Sequence, residues 1–99
     1  MSKNSIGNTR QFTLSAGNHG EFTFHVTLTE FNRFLRDAQR DVGMAANNFL
    51  LRTCTERESL AAAFEENWGL PLQLVEPIQE ELIEPVKVVV KKQGRAPSN

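Results

Sequence analysis

The chain is expected to fold as a small α+β domain, an antiparallel sheet built from an N-terminal hairpin and a C-terminal strand and packed against three to four helices. Three observations predict this. "EFTFHVTL" alternates apolar and polar residues with the period of a strand, the segments from Leu28 to Ile83 carry apolar residues at helical spacing, and "VKVVVKK" is a compact β-branched run. The 99 residues, 39% of them apolar, suffice for one core and not for two. A single domain over residues 9–92 is expected, with a flexible polar arm over 1–8 and a flexible tail over 93–99.

The first strand is placed at "RQFTLS", where Phe12 and Leu14 alternate with polar residues. "AGNHG" has the composition of a hairpin loop. The return strand puts Phe22, Phe24, Val26 and Leu28 on one face and Glu21, Thr23, His25 and Thr27 on the other. Thr27 and Glu30 have capping-box spacing and open a helix, whose stripe runs through Phe31, Phe34, Leu35, Ala38 and Val42 and stops at Gly43. In the next helix Met44, Phe49, Leu50, Leu51 and Cys54 are dense enough to be largely buried, with Asn47 or Asn48 read as its cap. Thr55 and Glu58 form a second capping-box pair before Leu60, Ala63, Phe64 and Trp68, and Gly69 and Pro71 end that helix. Leu72, Val75, Ile78, Leu82 and Ile83 keep helical spacing across Pro77, which either kinks the helix or begins a fresh one. After Pro85, Val86, Val88 and Val90 share a face and are expected to join the hairpin as a third strand.

Composition excludes several functions. The net charge of −1 gives no overall basic field for nucleic acid or anionic membrane, and no apolar stretch reaches the roughly 20 residues of a membrane span. One cysteine and no secretory h-region point to a reducing cytoplasm. The charge is nonetheless segregated: eight acids face Arg57 alone between Glu56 and Glu84, while Lys87, Lys91, Lys92 and Arg95 follow without an acid.

No catalytic, cofactor-binding or metal-ligating set is expected. Cys54 has no base near it in sequence, His19 and His25 are scattered, and neither C-x-x-C nor H-x-x-x-H occurs. The acidic pairs Glu65–Glu66 and Glu80–Glu81 point in different directions on a helix and suit a solvated face. Cys54 is read as a small buried hydrophobe. Arg52 is either a stem packed on the core with its head in water or half of a structural ion pair.

Together "FTFHVTLTEFNRFL", "NNFLLRTC", "LPLQLVEPIQEEL" and the terminal valine run resemble the phage tail assembly chaperones of Mu-like and related prophages, over roughly residues 20–90. Asn48, Phe49, Leu50, Arg52 and Thr53 match that family's "NFLxRT" block, and Leu72, Gln73 and Leu74 its later one. Cys54 in place of an aliphatic residue, the long N-terminal arm and Pro77 depart from the pattern. The resemblance implies a non-catalytic viral protein without cofactor. It would bind the long, helical tape measure protein in the cytoplasm of the bacterial host, promote assembly of tail tube subunits, and be absent from the virion. Leu72, Val75, Ile78 and Leu82, flanked by Glu76 and Glu80, are the expected partner-binding stripe, and the same stripe makes a homo-oligomer plausible. Plain packing of that stripe on the sheet is the competing reading. A small regulatory or nucleic-acid-binding protein using the basic C-terminal end is the rival function, and a structural part of the virion a third.

Overall fold

The computed structural model describes residues 9–83 and 86–91; the expected arm over 1–8 and tail over 93–99 lie outside them. The elements follow in the order β1 (Thr9–Ser15), β2 (Glu21–Thr27), α1 (Leu28–Ala38), α2 (Val42–Thr53), α3 (Arg57–Glu66) and α4 (Leu70–Leu82). The fold is α+β, with one two-stranded antiparallel sheet and four helices among the described residues.

The hairpin obeys its alternation. Its register pairs Phe12 with Phe24 and Leu14 with Phe22, so the apolar side chains of both strands share one face. Thr13 and Thr23 meet on the other face, hydroxyl to hydroxyl at 3.3 Å. The connection is a single 3-10 turn over Gly17–His19, closed by the Ala16 amide donating to the Gly20 carbonyl at 2.8 Å. Gly17 and Gly20 have φ of 59° and 101°, a region in which a Cβ is strained.

β2 runs into α1 without a loop, and Thr27 is the hinge between them. Its hydroxyl accepts from the Glu30 amide at 3.2 Å, the first half of the expected capping box. The second half does not form, because the Glu30 carboxylate turns to Arg52 instead. Of the α1 stripe only Phe34 is fully buried; Phe31 and Ala38 are partly so, and Leu28 and Leu35 are exposed. Val42 belongs to the next helix. α1 stops at Ala38 rather than Gly43, since Asp41 leaves the helical conformation and caps α2 by accepting from the Met44 amide at 3.0 Å. Gly43 then sits in the first turn of α2, and Asn47 and Asn48 stand in its middle instead of at its start.

α2 is the spine. Ala45 and Ala46 let neighbouring elements approach closely, and Phe49 and Leu50 are fully buried, with Phe34 and Phe49 ring centroids 5.1 Å apart. The Thr53 hydroxyl donates to the Phe49 carbonyl at 2.9 Å as the helix ends. Cys54 is therefore past the helix, not on it: it makes an isolated antiparallel bridge with Phe24. The Thr55 amide donates to the Thr23 carbonyl at 2.8 Å, and the Thr23 amide donates to Glu56 Oε1 at 2.8 Å.

These bonds overturn two expectations. The Thr55–Glu58 capping box does not form, because Glu56 occupies the cap position of α3 and its side chain serves Thr23. The outer edge of β2 is partly filled by Cys54–Glu56, and the apolar face of the sheet is already covered by the helices. The third strand does not form: Val86–Val90 lies outside the sheet, with its valines 63–85% exposed.

α3 ends at Glu66, two residues before Trp68, and Gly69 and Pro71 open α4 rather than merely closing α3. α4 runs unbroken through Pro77, so no fresh helix begins there. Proline has no N–H for the carbonyl four residues back, that of Gln73, and Gln73 is exposed, where water can serve it. α4 buries Leu70, Pro71, Leu74, Val75 and Ile78, completing one core shared by β2 and all four helices.

Candidate functional site

Three groupings of polar or exposed side chains arise from this architecture. The first joins α1 to α2. Arg52 Nε donates to Glu30 Oε1 at 2.7 Å with both side chains about a quarter exposed, which resolves Arg52 as half of an ion pair. Arg52 Nη2 is buried and has no partner among the described residues. Within the "NFLxRT" block Phe49 and Leu50 are core, Arg52 pairs with Glu30, and Thr53 terminates the helix. Only Asn48 is exposed. The block is a scaffold motif.

The second grouping is Cys54, Glu56 and the β2 edge. The thiol lies 3.6 Å from Glu56 Oε1 and is 4% exposed. Burial pushes its pKa up to about 11, with the adjacent carboxylate adding to the effect. A thiol in that state is protonated at neutral pH and poorly nucleophilic. The Thr23 amide holds the Glu56 carboxyl below its usual range against partial burial, with smaller contributions from its own amide, the Cys54 thiol and His25. Cys54 and Glu56 meet directly here, the carboxylate taking the thiol's hydrogen bond. The arrangement ties a strand edge to a helix start. Among the described residues no three His, Cys, Asp or Glu side chains cluster as a metal site would require.

The third grouping is apolar and exposed. Trp68, in the link between α3 and α4, is 88% exposed, and Met44 and Leu72 are 59% and 44% exposed. They line one groove of about 380 Å³ together with Asn47, Phe64 and Pro71. Single exposed apolar residues are ordinary, but three large ones around a groove form a patch.

The expected partner-binding stripe is divided. Val75 and Ile78 are buried in the core and Leu82 is half-buried, while Leu72, Glu76 and Glu80 are exposed. Packing accounts for Val75 and Ile78, and of the four apolar residues Leu72 alone faces outward. Glu66 lies 3.8 Å from the His19 ring at the hairpin turn, and its neighbour Glu65 is exposed. Lys87 and Lys91 are exposed, and Lys92 and Arg95 lie outside the described residues.

Trp68 and Met44 were not among the residues expected at a site. Trp68 reads as a helix-stripe residue by spacing, but its setting, Asn67-Trp68-Gly69, is a turn composition and was the available signal. The Asn67 side chain accepts from the Gly69 amide at 3.1 Å, fixing that turn and leaving the indole outside. No helix among the described residues is long and apolar enough to cross a membrane. Compared with known protein families, characterised proteins and solved structures, the chain finds no match.

Proposed function

We propose that this chain is a non-catalytic chaperone of the phage tail assembly type, which holds an amphipathic helical client, the tape measure protein, and promotes assembly of the tail tube around it. The observation that carries the reading is the exposed apolar groove of Met44, Trp68 and Leu72 beside helices that bear six acids and no Lys or Arg between Glu58 and Glu81. A holder of amphipathic helices needs apolar surface to lend and like charge to keep its own copies apart. The inert Cys54 and the structural role of Arg52 leave the side chains that could suggest chemistry engaged in the scaffold. The protein would act in the host cytoplasm and be left out of the finished virion.

The test is co-expression with the long helical protein encoded beside it. The reading expects the client to become soluble and to co-elute with this chain at moderate salt, and purified particles to lack this chain by mass analysis. A client equally insoluble with and without the chain overturns it. Duplex binding with a steep salt slope would favour the rival reading through Lys87 and Lys91.

A further inference from the structure

The two asparagines that do not cap α2 lie on its outward side. Met44, Asn47, Asn48 and Leu51 follow one another at the steps that line one face of a helix. Met44 and Asn47 line the Trp68 groove. Asn48 and Leu51 line a second, more open cavity of about 500 Å³ with Glu30, Arg52 and Arg57. Arg52 and Arg57 give that second cavity cationic character, so the groove at the Met44 end of the helix face, which has no cation in its lining, is the one open to a basic partner. Leu72, Glu76 and Glu80 follow at four-residue steps on the exposed side of α4, so the apolar rim of the groove continues directly into acid. Glu65, exposed beside Phe64, carries the same charge at the end of α3.

From this geometry we infer that the face formed by Met44, Asn47, Trp68 and Leu72 docks one amphipathic helix of cationic character. The helix lays apolar residues at i, i+3 and i+7 against Met44, Trp68 and Leu72 and points Lys or Arg at Glu76 and Glu80. Charge complementarity selects this occupant: an acidic helix would meet carboxylates along the same rim. Asn47, in the middle of the face, offers an uncharged donor and acceptor that a passing polar residue of the client can use. The inference rests on the chaperone reading for the identity of the client, but the site and its preference are properties of this surface alone.

The experiment uses the full chain and a synthetic amphipathic peptide of leucine and lysine about five helical turns long, with a control in which every lysine is glutamate. Trp68, the only tryptophan, reports docking by a blue shift of its emission. The lysine peptide should shift the emission and bind at least about tenfold more tightly than the control, and Leu72→Asp or Met44→Asp should weaken it by a further factor of about ten with unchanged melting. The double variant Glu76→Lys, Glu80→Lys should reverse the preference. If either aspartate variant melts early, Leu72→Gln and Met44→Gln serve in its place. Equal binding by the parent and the Leu72 variant would reduce the effect to charge adhesion and overturn the site. A shift that grows with protein concentration alone would mean that a second copy covers the face, and would overturn it too. In co-expression, a client kept soluble by both the parent and Leu72→Asp retains the chaperone reading and removes this site. Peptide docking without client rescue does the reverse.

Discussion

Glu56 shows how much one side chain can hold. Its carboxylate caps the free Thr23 amide of β2 and accepts from the Cys54 thiol, and its carbonyl receives the Leu60 amide that starts α3. Because the folded carboxyl lies below its ordinary value of about 4.3, the unfolded chain holds more protons in that range and stability rises with pH there. The contribution is complete above about pH 5 and is lost as pH falls through the folded value. Glu56→Gln keeps an acceptor but removes the charge, so its stability should fall less steeply than the parent's as pH drops below about 5. Superimposable acid profiles by thermal melting would contradict this. Cys54 has the opposite linkage: its pKa is raised to about 11, so stability is intact below the ordinary value and declines as pH rises toward the folded one. Cys54→Ala should remove that alkaline decline at a cost on the order of 1 kcal/mol at neutral pH. The native thiol should resist a bulky maleimide until the protein unfolds, and rapid labelling would refute its burial.

Among the elements, the periodic signals, the strand bounds and the Thr27 start of α1 were legible, and the later helix boundaries were not. Strict alternation gave β2 and its inward face, because the period-2 pattern leaves one register that buries Phe22, Phe24 and Val26 together. Gly43, Asn47 and Asn48 misled because composition alone does not say which polar residue wins the cap; Asp41 does, and the asparagines are carried into the helix. The Val86–Val90 run misled for another reason. β-propensity reports that a segment fits a sheet, not that it pairs with one: a segment with no strand signal, Cys54–Glu56, took part of the β2 edge, and the valine run pairs with neither strand. A chain ending at Ile83 should therefore still melt cooperatively within a few degrees of the parent, and loss of the transition would show that Val86–Lys91 contributes to the fold. Helix α4 allows a sharper comparison. Val75→Asp places an unpaired charge in the core and should cost about 3–5 kcal/mol, a large part of the total stability of a domain of this size, and lower the melting temperature markedly. Leu72→Asp, three residues earlier on the exposed side, should leave the melting temperature unchanged. Equal losses from both would contradict the division of that stripe into core and surface.

For the molecule as a whole, exposed charges of opposite sign are gathered mainly on different elements. α1 presents Arg33, Arg36 and, just beyond its end, Arg40 to solvent, while α3 and α4 present Glu58, Glu65, Glu76, Glu80 and Glu81. Such a separation was visible in the sequence as an acidic middle, but its pairing with Trp68 and Met44 was not, since it depends on where three helices meet. The physical consequence is a division of labour in binding. Exposed carboxylates act over about 8 Å at physiological salt and govern encounter, whereas a desolvated indole and its apolar neighbours govern how long a complex lasts. The association rate with a cationic helix should accordingly fall several-fold as ionic strength rises from low to about half-molar, while the dissociation rate moves little. Replacing Glu76 and Glu80 by glutamine should flatten the salt dependence of association, and Leu72→Ala should raise dissociation at every salt concentration. Stopped-flow traces of Trp68 emission measure both rates in one mixing series. Carboxylate substitutions that alter only dissociation, or a Leu72 substitution that alters only association, would assign the two roles the other way round and place the apolar anchor outside this groove.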